Sequence, residues 1–357
     1  MSRTLTREDG IAAVYGGGVL GGGGGGHLAD GLARVEQIFD GHLPAPTHVS
    51  LDELSPLATV ACVALVGAPS AAAAHIDEAQ LIASVRELAG AVEGELAALM
   101  TNENGPATTI NGWLQAAALG LPVLDAPSNG RAHPTGVMGA LQLQKEPEYT
   151  SVQAFAGGAG TAALTGHVAG NLNTAAAAVR ALSVTAGGMV GVCRNPVSIQ
   201  RVREYGAAGG IGFAIDLGRA HLAGTTGAEK IANVVDFLGG NVCFTGTVDG
   251  VELRQEGGFD VGTVTLGDGS RNCELTFWNE YMTAELAGER LATFPDLIMT
   301  LDTETGAPVV SARIEQGQSL TVITADKSRL RLGASMFDAD LLAGIEPILG
   351  KPIVAHQ

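Results

Sequence analysis

Three stretches of this chain concentrate side chains that could do chemistry. The first is Asn102-Glu103-Asn104-Gly105-Pro106, an acid between two amides. It sits at the end of a strand-like run and ahead of a helix-like one. A carboxylate so placed is a candidate general base or ligand, with capping of the next helix by Asn102 or Asn104 as the alternative. The second is Asp125-Ala126-Pro127-Ser128-Asn129-Gly130-Arg131-Ala132-His133-Pro134. Asp125 and His133 offer an acid and a base, Asn129 an amide, and Arg131 a guanidinium able to grip a carboxylate with two parallel hydrogen bonds. The third is six consecutive glycines, Gly21–Gly26, ahead of a helix-like segment. The bare backbone N–H groups of Gly22, Gly23, Gly24, Gly25 and Gly26 could face an anion. A tight turn that lets elements pack closely is the competing reading. A weaker fourth stretch, Gly166–Asn173, adds His167 beside Asn171 and Asn173, either of which could simply cap a helix.

Several familiar chemistries lack their patterns. The glycine run ends Gly26-His27-Leu28, without the Gly-Lys-Ser/Thr of a phosphate-binding loop. It follows a helix-like segment, whereas a dinucleotide fingerprint follows a strand. No HExxH or HxH occurs, so a metal site would have to be assembled from distant segments such as Glu103, Asp125, His133 and His167. The four cysteines, Cys62, Cys193, Cys243 and Cys273, form no CxxC pair. Cys193, at a strand–helix junction, is expected to be a buried, inert thiol.

The elements that must position these residues follow from periodicity. Thr6, with Asp9 three residues on, should cap a helix running to about Leu20. A second helix fits His27–Phe39. Ala58–Val66 reads as a buried strand ended by Gly67-Ala68-Pro69, Glu78–Leu96 as an amphipathic helix and Leu96–Met100 as a short strand. Helix Thr108–Leu119 and strand Pro122–Leu124 follow. Residues 151–165 read as strand, Asn173–Ala186 as helix and Met189–Val192 as strand. Asn195-Pro196 should open a helix, and Ile211–Leu222 and Ala228–Leu238 are helical. This alternation implies an α/β layer with a largely parallel sheet. Both polar loops would then leave the carboxyl ends of strands, where ligands gather in such sheets. From Val242 onward the runs are short: Cys243–Val248, Gly262–Leu266, Glu274–Trp278, Leu297–Leu301 and Leu320–Thr324. Turn signals at Asp249-Gly250, Gly257-Gly258, Asp268-Gly269 and Thr305-Gly306 separate them. The expected layout is an α/β domain over 1–235 and a mostly antiparallel β-barrel or sandwich over 236–357, whose tail can return to the first domain.

Composition narrows the partners. Twenty Lys and Arg against 37 Asp and Glu give a net charge of −17, which disfavours binding to nucleic acid or to an anionic membrane surface. The apolar run Leu57–Ala68 is too short to cross a bilayer, and residues 1–12 lack a signal-peptide pattern. A cytoplasmic protein with reduced thiols, self-associating and acting on a small molecule, is the expectation.

At these loops the sequence resembles the S-methyl thiohydantoin desulfurase-like family. The resemblance rests on GGGVLGGGGGG (16–26), ENGPATTINGWLQAAALGLPVLDAPSNGRAHP (103–134), GFDVGTVTL (258–266), FWNEYMTAEL (277–286) and FPDLIMTLD (294–302). It implies an α/β N-terminal domain with a β-barrel-like partner domain and chemistry on hydantoin-type rings. The chain departs from typical members at Glu103-Asn104-Gly105, where they read Gly-Gly-Asn. Over 187–221 it looks closer to the branch resembling thiohydantoin-propionate desulfhydrases of ergothioneine breakdown. That branch implies a hydrolase exchanging C=S for C=O in a five-membered ring and releasing hydrogen sulfide. Glu103 or His133 would serve as base, with Asp125 a third candidate. Gly22–Gly26 would stabilise charge on sulfur, and Arg131 would hold a propionate. Asn102, Asn104, Asn129 and His167 would line the substrate, and a divalent metal such as zinc is one way to polarise the sulfur. A ring-opening hydantoinase-type amidohydrolase and a non-catalytic hydantoinase subunit are the alternatives.

Overall fold

A computed structural model describes residues 2–67, 71–256 and 259–357. The first sheet contains β1 (Arg3–Thr4), β2 (Thr47–Val49), β3 (Thr59–Gly67), β4 (Leu96–Thr101), β5 (Val123–Leu124), β6 (Ser151–Gly157), β7 (Leu164–Gly170) and β8 (Met189–Ser198). Their spatial order is β1-β2-β5-β4-β3-β8-β6-β7. Strand β3 lies at the centre, and alternate side chains serve opposite faces, as the pleat requires. Ala61 and Val63 face one core, with side chains of helices α1 (Arg7–Leu20), α2 (Leu28–Ile38), α3 (Glu78–Ala91) and α4 (Trp113–Leu119). Val60 and Cys62 face the other, with Leu141, Leu143, Leu172 and residues of the helix Ile199–Tyr205.

The expectation of a largely parallel sheet needs correction. Only the β2–β5–β4–β3 portion is parallel; β3–β8, β8–β6 and β6–β7 are antiparallel. The link between β6 and β7 is too short for the crossover that a parallel pair requires. A second correction concerns 189–198. Strand β8 continues through Asn195-Pro196, with Asn195 at φ 54, and the next helix starts only at Ile199, where Ser198 supplies the cap. The helix expected from Thr108 begins at Trp113, because the preceding residues form turns around Gly112. The Thr6–Asp9 capping box of α1 is present.

Helices α5 (Leu172–Thr185), α6 (Ile199–Tyr205), α7 (Gly210–Ala223) and α8 (Gly227–Leu238) lead to the second sheet. That sheet comprises β9 (Asn241–Glu256), β10 (Phe259–Gly267), β11 (Asn272–Trp278), β12 (Glu280–Leu286), β13 (Glu289–Thr293), β14 (Leu297–Asp302), β15 (Pro308–Val309) and β16 (Ser319–Ala325). All its ladders are antiparallel, in the order β13-β12-β11-β10-β9-β16-β14-β15. Among the described residues no ladder joins β13 to β15. Asp268-Gly269 and Thr305-Gly306 do mark turns, whereas Asp249-Gly250 lies within β9. Gly257-Gly258 and Ala68-Pro69 lie outside the described residues.

The two sheets are joined by a shared apolar cluster. Val19 and Leu20 of α1, Ala214 and Leu217 of α7, and Ile231 and Val234 of α8 pack with Leu297, Met299 and Ile323 of the second sheet. Helix α1 therefore delivers the glycine run to the seam between the sheets. Residues of the last strand's exit also return there: Gln142 donates to Ser335 at 3.3 Å, and Lys145 pairs with Asp338 at 2.8 Å.

Candidate active site

Because β4 and β5 are parallel neighbours, the loops after them leave the same edge of the sheet. Their backbones remain in register for two more hydrogen bonds, Ser128 N to Thr101 O (3.1 Å) and Asn129 N to Asn102 O (3.0 Å). Asn104 then clamps the arrangement, its amide donating to Gly130 O at 3.2 Å and to Gly210 O at 2.9 Å. Asn129 fixes the second loop by donating to Met138 O at 2.7 Å. Both amides are thus committed to backbone, although the carboxamide oxygens of Asn104 and Asn129 remain buried without a partner.

This scaffold brings Glu103 and His133 together, with Glu103 Oε2 3.3 Å from His133 Nε2. Asn102 Nδ2 lies 3.1 Å from the same ring nitrogen, and His133 Nδ1 lies 2.9 Å from Thr135 O. A carbonyl can only accept, so Nδ1 carries the ring proton and Nε2 is left as an acceptor. Burial pushes the His133 pKa down to about 3, aided by the charges of Arg194 and Arg131, so the ring is neutral near pH 7. Burial pushes the Glu103 carboxyl up to about 7, against the opposing pull of the His133 backbone N–H, Thr108, Arg194 and Asn102. Two facing acceptors share one proton, and it resides on Glu103 up to neutrality. A carboxyl poised near the working pH is suited to general acid–base catalysis.

The glycine run packs on the loop that carries Glu103. Gly25 accepts a hydrogen bond from Ala107 N at 3.0 Å, which docks the run on the Glu103 loop. Gly22 and Gly23 accept from Tyr281 N (2.7 Å) and Ser311 N (2.9 Å) of the second sheet. Carbonyls therefore hold the run in place, and among the described residues the N–H groups of Gly23 and Gly25 have no acceptor. Two of the glycines press on buried side chains of the seam. A Cβ on Gly22 (φ +54) would lie 2.1 Å from the Arg131 guanidinium, and one on Gly24 would lie 2.0 Å from the Glu280 carboxyl.

Glu280 is a site residue that sequence reasoning did not single out. It is 3 % exposed, and its Oε2 has no partner. Burial, then the nearby charge of Glu103, raises its pKa well above the carboxylate range, despite the opposing pull of Arg131. The only signal was its presence in the FWNEYMTAEL segment. Arg194, in β8, was not singled out either. Its partner across the ladder is Cys62 on one side and Gln153 on the other, so all three project from the same face. Cys62 Sγ in turn lies 3.8 Å from both Asn102 Oδ1 and Ser128 Oγ.

Other expected site residues hold structural contacts. Arg131 is completely buried: it donates to Pro295 O (3.2 Å) and Asp296 O (2.5 Å) and lies over the Phe294 ring. Its Nε and Nη2 are sealed without partners, and burial lowers its pKa to about 10. Through Nη1 it braces the seam between the sheets. Asp125 accepts from Ile211 N (2.8 Å) and Gly212 N (3.0 Å), capping α7, and lies 3.4 Å from His48. His167 sits on β7 among half-exposed side chains and bonds Glu87 at 2.8 Å, so it does not join the loops. Cys193 lies in β8 with its thiol pKa raised by burial. Among the described residues no group of three or more His, Cys, Asp and Glu side chains is arranged to hold a metal ion. The residues present do not fit zinc, and no step below runs through one. No helix among the described residues is long and apolar enough to cross a membrane.

Family models match the chain in two parts, with β8 of the first sheet inside the second match. A family model for the S-Me-THD-like N-terminal domain matches residues 11–167, and one for the S-Me-THD-like C-terminal domain matches residues 171–331. A search of curated proteins found no match. Among solved structures, the X-ray crystal structure of a protein from Chromobacterium violaceum is similar, with a TM-score of 0.75 and 22% sequence identity. The match covers 98% of this chain and 96% of that one, and it speaks for the fold alone. Both matched domains contribute to the seam that holds Glu103, His133 and Glu280, and the chain belongs to the S-Me-THD-like, that is S-methyl thiohydantoin desulfurase-like, family.

Proposed function

We propose that the protein is a hydrolase that replaces the thiocarbonyl sulfur of a thiohydantoin with oxygen and releases hydrogen sulfide. The substrate class includes 3-(5-oxo-2-thioxoimidazolidin-4-yl)propionate, which would place the reaction in ergothioneine catabolism. The observation that carries the reading is the buried Glu103–His133 pair, 3.3 Å apart, on a loop against which the glycine run docks, with burial pushing the Glu103 carboxyl up to about 7.

Water adds to the ring carbon that bears sulfur while the Glu103 carboxylate takes its proton. The C=S π electrons move onto sulfur, and the N–H groups of Gly23 and Gly25 face the developing charge as an oxyanion hole faces oxygen. Glu103 then returns its proton to sulfur. The C–S bond breaks with its electron pair leaving on hydrosulfide, the Glu103 carboxylate takes the proton of the added hydroxyl as the carbonyl forms and passes it to the hydrosulfide, and the products are the hydantoin and hydrogen sulfide. His133 is too weak a base to take the first proton. Its role is to hold Glu103 through Nε2, itself oriented by Thr135 O and Asn102. Glu280, neutral in its buried setting, adds no negative charge near the sulfur.

The test is to incubate the purified protein with the thiohydantoin, follow sulfide, and weigh the organic product. Sulfide with an intact hydantoin ring is the expected outcome. An N-carbamoyl product would instead indicate ring opening, and no conversion would overturn the reading.

A further inference from the structure

Arg194 is 8 % exposed, yet it forms no ion pair with any carboxylate among the described residues. That is unusual for a buried guanidinium, because an uncompensated charge costs free energy to desolvate. It is more unusual in a chain of net charge −17. Arg131 makes the contrast: two of its nitrogens are sealed from solvent, whereas none of the unbonded Arg194 nitrogens is sealed in this way. The little exposure that Arg194 keeps therefore includes its polar end. Its ladder partners, Cys62 and Gln153, lie to either side on the same sheet face, and the Gln153 Oε1 is buried without a partner. From Cys62 the polar path runs through Asn102 (3.8 Å) to His133 (3.1 Å) and Glu103 (3.3 Å). The charge of Arg194 is felt at both Glu103 and His133.

We propose that Arg194 anchors the anionic arm of the substrate, a single carboxylate held by its planar fork, and so selects acid-bearing rings. The proposal rests on the hydrolase reading above and names its specificity residue. A carboxylate fits better than a phosphate, because one guanidinium balances one negative charge and the neighbouring Glu103 would oppose a second. It also moves the anchor from Arg131, whose Nη1 donates to the Pro295 and Asp296 carbonyls and whose other nitrogens are sealed from solvent, to a cation whose nitrogens are not sealed.

The experiment compares thiohydantoin propionate with its uncharged propionamide, measuring kcat and KM by sulfide release for wild type, Arg194→Gln and Arg194→Lys. Near-ultraviolet circular dichroism and thermal unfolding check that the variants fold. Wild type should favour the acid by at least about 30-fold in kcat/KM, mainly through KM. The preference should collapse toward unity in Arg194→Gln and be partly kept in Arg194→Lys. Equal handling of acid and amide by wild type, or an undiminished preference in Arg194→Gln, overturns the assignment while leaving sulfide release intact. If neither compound yields sulfide, the hydrolase reading falls. Calorimetry with propionate then decides Arg194 separately: binding lost in Arg194→Gln supports an anion site, and no binding to wild type, or binding unchanged in Arg194→Gln, overturns it.

Discussion

Replacing Glu103 by Gln should stabilise the protein at alkaline pH while removing its chemistry. The Glu103 carboxyl titrates at about 7 in the folded chain against 4.5 for an unperturbed glutamate. Between those values the folded state holds a proton that the unfolded state has released. Stability therefore falls as pH rises through that window: the contribution is complete below about pH 4.5 and lost above about pH 7. The gap corresponds to roughly 3 kcal/mol. The side chain is only 12% exposed, so solvent screening relieves little of it. Gln is nearly isosteric and cannot ionise, so wild type and Glu103→Gln should differ little at pH 5, and the variant should gain by roughly 3 kcal/mol at pH 8.5. Urea unfolding of both proteins at several pH values measures the difference directly, and subtraction removes titrations they share. Curves that run parallel from pH 5 to 8.5, or a variant less stable than wild type at pH 8.5, would refute the assignment of a buried, strained carboxylate. In activity, wild-type kcat/KM should rise with pH to a plateau around a midpoint near 7.

Other consequences separate bracing residues from reacting ones. Arg131→Met should lower stability by roughly 1–3 kcal/mol in urea unfolding, since two carbonyls lose a charged donor. Gly24→Ala forces its Cβ into the Glu280 carboxyl, 2.0 Å away, and should destabilise by about 1–3 kcal/mol in the same assay. Asp125→Ala should cost about 1 kcal/mol by uncapping α7. His167→Ala should leave sulfide-release kcat/KM within about twofold of wild type, because its partner is the surface residue Glu87.

The legible and illegible parts of the sequence divide by the range of the physics involved. Local rules identified the Thr6–Asp9 cap, the apolar run of β3 and the amphipathic face of α3, each set within a few residues. Strand–loop–helix order was also enough to bring the Glu103 and His133 loops to one edge, because parallel neighbours share their carboxyl ends. What failed was pairing. The antiparallel β6–β7–β8 half and the passage of β8 through Asn195-Pro196 depend on register with β3, which no local pattern encodes. The same blindness affected the side chains. Arg131 looked like a free cation in a polar loop, and only the seam shows that Pro295 and Asp296, more than 160 positions away, take its Nη1. Glu280 reaches Gly24 from the second sheet, and Arg194 gains its meaning from facing Cys62 across a ladder.

The central claim is that sulfur leaves and water oxygen takes its place in a reaction that needs the Glu103 carboxyl. The most direct measurement is turnover of the thiohydantoin in oxygen-18 water, with sulfide and product mass followed together for wild type and Glu103→Gln. The account predicts one sulfide and one labelled carbonyl per intact hydantoin ring with wild type, and a rate lower by about 10²–10⁴-fold with the variant. Sulfide without label in the ring, a ring-opened product, or full activity in Glu103→Gln would contradict it.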